Sequence, residues 1–413
     1  FDQEEFKPYQ RAWNARLREL TTRASYYDGA VYRSLKNTAV WTMGPRVGKE
    51  IKGLFLPLSR AVDIDAGIIG GDWLFPEDDA KAEAWDAARD VLFDRSHWDT
   101  DGVLYVHYGA QYGVSGLRIA DVWEGEKRVL MQPADPTRFM LVYNSPYSMA
   151  SDMAIWIEQR DGEDGQYEYA EVITPERIRT FKDGSPFGYF GASPEYTNKQ
   201  GVVPIVEVVH IKDGTELGEC TYQKSIPMLN EVNEMATRLS DIITKNTDPQ
   251  WTIAGAEPSD LKRGSDIMWF LPEGAETKPV VPIIDIPGVL EFIREIKEGV
   301  KESLPELSFD ELKKAGQIAT ATLELQLMEL VIKIERTRPN YDRGLVEGMK
   351  IAGAAAAKVG LAEIAPLYDP ELILDPDRPV LPQMPQEKIS LRMQEIELEQ
   401  MEAGMNNREG MTK

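Results

Sequence analysis

Between residues 229 and 302 the hydrophobic period changes from helical to extended and back again. Leu229, Val232, Met235, Leu239 and Ile242 recur every three or four residues, one apolar helix face that Pro249 ends. Residues 251–284 hold short β-like runs, Trp251-Thr252-Ile253 and 267–271, broken by Pro258, Pro272, Pro279 and Pro282. A second helix is expected over 287–302, with Pro287 suited to its first turn. Around it, Val289, Ile293, Ile296 and Val300 make an apolar face, and Glu291, Glu295, Glu298 and Glu302 an acidic stripe. Arg294, Lys297 and Lys301 make a basic stripe beside the acids. Pairs such as Glu291–Arg294, Arg294–Glu298 and Glu298–Lys301 suit an ordinary solvated helix. They do not account for two long helices around a small β insert. That arrangement suits copies packed side by side in a ring.

The other segments group around this pair. Residues 4–35 have a helical pattern through Phe6, Trp13, Leu17, Leu20 and Ala24, ending at the turn Tyr26-Tyr27-Asp28-Gly29. A short helix is expected over 80–93, and strand character over 102–120 through Val103, Tyr105 and His107. From 122 to 211 the runs 129–131, 138–143, 153–158, 167–172 and 202–211 read as strands, with hairpin turns at Asp161-Gly162 and Asp183-Gly184. Residues 309–338 form the longest helical signal. Leu323, Leu327, Leu330 and Ile334 make one apolar row of it, and Leu325, Met328 and Ile332 a second, so neighbours are expected on two sides. Pro339 is expected to break or kink this helix before another over 341–359. Pro366, Pro370, Pro376, Pro379, Pro382 and Pro385 mark an extended connector, and 386–403 an acidic amphipathic helix.

Composition removes several classes of function. The 413 residues carry 46 Lys+Arg against 69 Asp+Glu, a net charge of −23, which argues against gripping nucleic acid through a broad basic surface. Cys220 stands alone, so no disulfide framework exists within the chain, and His97, His107 and His210 lie too far apart for a close-spaced zinc motif. No apolar run reaches the ~20 residues of a membrane span. The chain opens on Phe1 without a legible signal peptide, and assembly in the cytosol is expected.

Candidate chemical motifs mostly fail on spacing. Gly44-Pro45-Arg46-Val47-Gly48-Lys49-Glu50 lacks one P-loop spacer and puts Glu50 where a metal-binding hydroxyl belongs. Gly113-Val114-Ser115-Gly116 lacks one spacer of a nucleophile elbow. His107 and His210 suit structural roles better than a base, Glu219 disfavours a thiolate at Cys220, and Asp63/Asp65 and Asp78/Asp79 read as solvated acids. No cofactor or metal is expected. A hydrolase using His107 or His210 is the weaker alternative, and an assembly or adaptor protein of another kind is a third.

Four stretches carry a resemblance to a known family: residues 20–32 with the Tyr-Tyr-Asp-Gly turn, GVVPIVEVVHI at 201–211, residues 218–249 with Leu229-Asn230-Glu231-Val232-Asn233, and QIATATLELQLMELVIKIERTRPNYDRGL at 317–345. The proline-rich run into LPQMPQEKI, with Ala403-Gly404 beyond it, fits as well. The chain resembles the portal proteins of tailed double-stranded DNA phages, including long-tailed phages of thermophilic bacteria. It departs from the family's Ser-Gly before the tunnel helix, having Ala315-Gly316.

The resemblance implies an α+β portal fold in a ring, usually dodecameric, at one capsid vertex. By it, residues 1–216 are wing, 217–246 and 286–300 the two stem helices, 247–285 the clip, 301–317 the tunnel loop, 318–338 the tunnel helix and 339–413 the crown and C-terminal region. It places Lys297, Val300, Lys301, Glu302, Ser303, Leu304, Lys313 and Lys314 at the DNA channel. Asp260, Lys262, Arg263, Asp266, Glu273 and Glu276 would dock the motor or adaptor, and Arg294, Glu298, Glu329 and Lys333 would contact neighbouring copies. Implied partners are double-stranded DNA held weakly, a separate terminase ATPase, head-completion and tail adaptor proteins, and capsid and scaffold proteins, with no membrane. An acidic bore would centre the duplex by repulsion, since each phosphate contact raises affinity and slows sliding.

Overall fold

The computed structural model describes residues 3–32, 55–71, 73–76, 80–123, 128–143, 151–162, 165–188, 192–247, 250–254, 276–280, 285–308, 327–376 and 378–380. They form two compact units, one from 1–24, 58–223 and 305–413, the other from 25–57 and 224–304. Helices and antiparallel sheets are segregated along the chain, an α+β organisation.

The first unit is built on three antiparallel strands in the order β2-β1-β9, with β1 Val114–Trp123, β2 Arg128–Ala134 and β9 Ile205–Val209. Alternation along β1 gives this sheet two different faces. Leu117 and Ile119, with Val206 and Val208, pack under α2 (Leu58–Ile69), α3 (Ala82–Arg95), α4 (Trp98–Tyr112) and α7 (Met328–Val359). On the opposite face, Glu207 pairs with Arg16 of α1 (Gln3–Tyr27) at 2.6 Å, and Val114 packs with Leu20. A second sheet runs β3-β4-β5-β6-β7: Phe139–Val142, Met153–Gly162, Gly165–Ile173, Arg177–Lys182 and Ser185–Pro186, with β8 (Glu195–Thr197) pairing β6. Trp13 of α1 packs on Met140 and Ile155 of this sheet.

Several expectations need correction. Residues 98–112 are helical, not extended: Trp98, Gly102, Tyr105, Val106 and Gly109 are buried at helical spacing, a period that outweighs the short alternation of Val103, Tyr105 and His107. Gly113 (φ 87°) ends this helix in the left-handed conformation, and β1 follows. Asp161 and Gly162 are the last residues of β4, paired with Gln166 and Gly165. Asp183 (φ 48°) and Gly184 (φ 79°) do form a tight turn between β6 and β7, both residues taking positive φ. Pro339 does not break its helix, because α7 is continuous across it for 32 residues. Pro339 is exposed, so water can reach the carbonyl it leaves unpaired, while Ile334, Tyr341 and Leu345 hold the buried side. The expected crown boundary at 339 therefore falls inside a helix whose second half is core. The proline-rich stretch after 365 is packed as far as it is described: Leu367, Leu372 and Leu374 are buried, and Asp375 N donates to Leu74 O at 2.9 Å.

The second unit contains α5 (Ile226–Thr247), α6 (Ile286–Glu302) and the hairpin of β10 (Gln250–Ala254) with β11 (Glu276–Val280). Helix α5 starts at Ile226, later than the expected 217, and Leu217 and Tyr222 are buried in the first unit. The Asp285 side chain accepts from Gly288 N at 3.1 Å and caps α6, with Pro287 in the first turn as expected. The segments 44–50, 267–271 and 386–403, and the pair Asp78/Asp79, lie outside the described residues.

Candidate functional site

In the second unit, the sequence motifs explain one another. Tyr32 OH donates to Asn230 Oδ1 at 2.8 Å, Asn230 Nδ2 donates to Tyr26 OH at 3.1 Å, and the Tyr26 and Tyr32 rings meet edge to face at 6.2 Å. One turn along α5, Asn233 Oδ1 accepts from Phe55 N at 2.9 Å and its Nδ2 donates to Phe55 O at 3.1 Å. Asn230 and Asn233 thus hold the aromatic–glycine turn and the backbone of Phe55 against α5, each amide using both its oxygen and its nitrogen.

Helix α6 turns its apolar face inward as expected, with Ile293 and Val300 buried. Glu291, Glu295, Glu298 and Glu302 are exposed, and so is Arg294. Lys301 pairs with Glu298 at 2.8 Å. Lys297 is half-buried with its ammonium 5.0 Å from the centre of the Phe55 ring, a cation–π contact. Val300 and Leu304 are both 0% exposed, which corrects their assignment to a channel surface: they are core side chains of a helix end. Ser303 Oγ donates to Val300 O at 2.8 Å and closes that end. Glu276 lies in β11. Asp260, Lys262, Arg263, Asp266, Glu273, Lys313 and Lys314 lie outside the described residues.

The first unit contains a buried charge cluster that the sequence reading missed. Lys333 of α7 lies 3.2 Å from Asp65 of α2 and also pairs with Glu306, in the 3-10 turn Pro305–Ser308. Asp65 and Glu306 are both 0% exposed. Asp65 additionally accepts from Thr221 Oγ1 and lies 3.6 Å from His210 Nε2. His210 Nδ1 meets Tyr341 OH at 2.8 Å and its Nε2 meets Thr221 Oγ1 at 3.1 Å. Burial alone would raise Asp65, but the Lys333 ammonium, His210 and Thr221 outweigh it and hold the carboxyl well below the usual range. Burial and the nearby Asp65 charge outweigh Lys333 and a backbone hydrogen bond at Glu306, whose pKa is pushed up to about 8. Burial holds His210 neutral, its pKa below the ordinary value.

This cluster corrects two readings. Asp65 is a buried ion-pair partner and not a solvated acid; Asp63, two residues earlier, is exposed. Lys333 spends its charge within the chain and is not free for a neighbouring copy, whereas Glu329 is exposed on the first turn of α7. A carboxylate in the series Leu58, Val62, Asp65, Ala66, Ile69 was the available signal, because an acid on an apolar helix face needs a buried partner.

The residues weighed for catalysis are structural. His210 has both ring nitrogens engaged and no exposed surface. His107 sits on α4, 3.8 Å from Asp63, with burial lowering its pKa. Ser115 Oγ is buried and donates to Tyr105 O at 2.5 Å. Burial pushes the Cys220 thiol up to about 11, so it stays protonated, and its Sγ donates to Gln223 Oε1 at 3.3 Å. Among the described residues no group of His, Cys, Asp and Glu could hold a metal ion.

A model of the phage portal protein family, SPP1 Gp6-like, matches residues 7–287, more than half of the chain. The chain belongs to this portal family. Portal proteins are structural and not enzymatic, in keeping with a buried His210 and a protonated Cys220. The match ends at the first turn of α6, so α7 and its charge cluster partner Glu306 lie beyond it. Among solved structures, this portal chain is similar to a chain in the neck of a native GTA particle computed with C12 symmetry, at 13% identity and a TM-score of 0.41, covering 80% of this chain and 82% of that one. It is also similar to a chain in the neck of an empty GTA particle computed with C6 symmetry, at 12% identity and a TM-score of 0.38, covering 71% and 77%. A third similarity is to a chain of the virion of the native gene transfer agent particle, at 12% identity and a TM-score of 0.38, covering 88% and 93%. No curated protein sequence matches the chain.

Proposed function

We propose that this portal protein assembles with copies of itself into a closed ring, dodecameric as is usual for portals, set at one capsid vertex of a virion after assembly in the host cytoplasm. Double-stranded DNA passes through the ring during packaging and ejection, driven by a terminase ATPase that is a separate chain. Tail adaptor and head-completion proteins, capsid and scaffold proteins are its other partners. Membership of the portal family carries this reading. Two observations support it. Met328 and Ile332 of the second apolar row are 52% and 57% exposed among the described residues, as a surface covered by a neighbour would be. The acidic stripe of α6 is exposed on a chain of net charge −23, which suits a conduit that must not bind phosphate.

In this reading residues 1–216 form most of the wing, α5 and α6 are the stem helices, and 247–285 is the clip that docks motor and adaptor through Asp260, Lys262, Arg263, Asp266, Glu273 and Glu276. The stretch 301–317, which begins in the last turn of α6, meets the DNA through Lys301, Glu302, Lys313 and Lys314, while Glu306 within it is held in the core. Residues 318–338 are the tunnel helix, and the crown and C-terminal region fall within 339–413. Negative-stain images of the purified protein should show rings with a central hole. Images and mass photometry showing only monomer at every concentration and salt would overturn the ring.

A further inference from the structure

Helix α1 presents two opposite faces of different character. Trp13, Arg16, Leu20 and Arg23 are buried against the first unit. On the far side Lys7, Arg11, Asn14 and Arg18 line up at steps of three and four, all exposed. None of the three cations on this stripe makes an ion pair among the described residues. The chain as a whole is strongly acidic, at −23, so this stripe runs against the net charge.

On the other side of the same unit lies a groove of about 650 Å³ formed by α3, α4 and the segment after α2. Trp73, Leu74, Phe93, Trp98 and Val103 give it an apolar floor, with Leu74 45% and Val103 50% exposed, and Arg89, which also lines it, is neutralised by Asp86 and Asp90. Asp90, Asp94 and Asp99 rim it, all three exposed. Asp90 is paired with Arg89 at 2.8 Å, whereas Asp94 and Asp99 have no ion-pair partner among the described residues. The β2-β1-β9 sheet separates the two surfaces. The groove is on the face of Leu117 and Ile119, and α1 on the face of Val114 and Glu207.

We propose that the basic face of α1 in one copy docks on the acid-rimmed groove between α3 and α4 of the next copy. This rests on the ring reading above and specifies which surfaces make the ring. Two different surfaces on opposite faces of a subunit form a head-to-tail contact, the kind that propagates around a ring, where a self-complementary patch would stop at a dimer. Charge complementarity favours this partner over others. Each copy repels the next through its net charge, and association is favoured where a basic helix face without ion pairs meets unpaired carboxylates. The apolar floor supplies the burial, taking the Ala12 and Ala15 side of α1 and the aliphatic stems of its cations.

The test uses two full-length variants. In one, Arg11→Glu with Arg18→Glu reverses the stripe; in the other, Asp94→Lys with Asp99→Lys reverses the rim. All four positions are exposed, and circular dichroism with thermal melting checks that each variant keeps the wild-type fold. Mass photometry at ~0.15 M salt should show rings for the wild type and loss of rings for each variant alone. An equal mixture should form rings again. In it, the reversed stripe of one variant faces the reversed rim of the other at alternate contacts, and the original pairing persists at the contacts between. Rings formed by each variant alone as readily as by the wild type, or a mixture that stays dispersed, would overturn this contact and leave the ring reading standing. A wild type that never forms rings would overturn the ring reading itself.

Discussion

The ammonium of Lys333 serves two carboxylates, and the division between them is unequal. Asp65 also has Thr221 and His210, so it keeps its charge; Glu306, with its Oε2 unpaired and buried, is the one that gives way. Lys333→Met should therefore destabilise the protein by about 3–5 kcal/mol, the cost of breaking a buried pair by removing one side. Urea unfolding followed by tryptophan fluorescence measures it, and a loss under about 1 kcal/mol would mean the cluster is better hydrated than its burial indicates. Glu306 gives a pH signature. Its folded pKa, about 8, lies above its unfolded value. The native state therefore binds the extra proton, and stability falls as pH rises from about 4.5 toward 8. Glu306→Gln should flatten that part of the stability–pH curve, read as melting temperature across the range. An unchanged slope would remove Glu306 as its source. Little of this was legible along the chain, because Asp65, Thr221, His210, Glu306 and Lys333 are brought together only by tertiary folding. The structural role of His210 was legible, since a histidine in an apolar strand has few other uses.

At the scale of elements, periodicity succeeded where it was long and failed where glycine and aromatic residues shared a face. The helices α1, α3, α5 and α6 follow their apolar spacing to within a few residues. Helix α4 does not look helical because Gly102 and Gly109 occupy its buried face. Gly109 is there for closeness, and so is Gly344 of α7. A Cβ on Gly109 would stand 1.8 Å from Tyr341 OH, and one on Gly344 would stand 2.2 Å from Val208 Cγ2, so α7 approaches α4 and β9 at bare backbone. Gly109→Ala should accordingly cost about 1–3 kcal/mol by overpacking, despite alanine's better helix propensity. A differential scanning melt reads this directly; a variant as stable as wild type would show that Tyr341 moves aside freely. The helix α2 and the strand β6 escaped the sequence reading because each is short and half-polar, and both owe their form to what packs on them.

For the whole molecule, a net charge of −23 at first sets a chain apart from nucleic acid, and membership of the portal family gives it a different meaning. A charge of that sign disfavours attraction and leaves enclosure open. The purified protein should accordingly show no measurable affinity for a free duplex in fluorescence anisotropy at ~0.15 M salt, and no steep gain as salt is lowered. A salt slope of several counterions would indicate a basic bore and contradict the acidic-conduit reading. The family itself was legible from four scattered stretches, two of which, the Tyr-Tyr-Asp-Gly turn and the Leu229–Asn233 segment, turn out to be bonded to each other through Asn230. Helix α7 adds a mechanical point. It is a rod of about 48 Å at 1.5 Å per residue, held by the core from its first turn, where Leu327, Leu330 and Ile334 are buried, to Val359 at its end. Such an element is a splint: a push on its outward side chains Met328 and Ile332 is shared with the β2-β1-β9 sheet on which it lies.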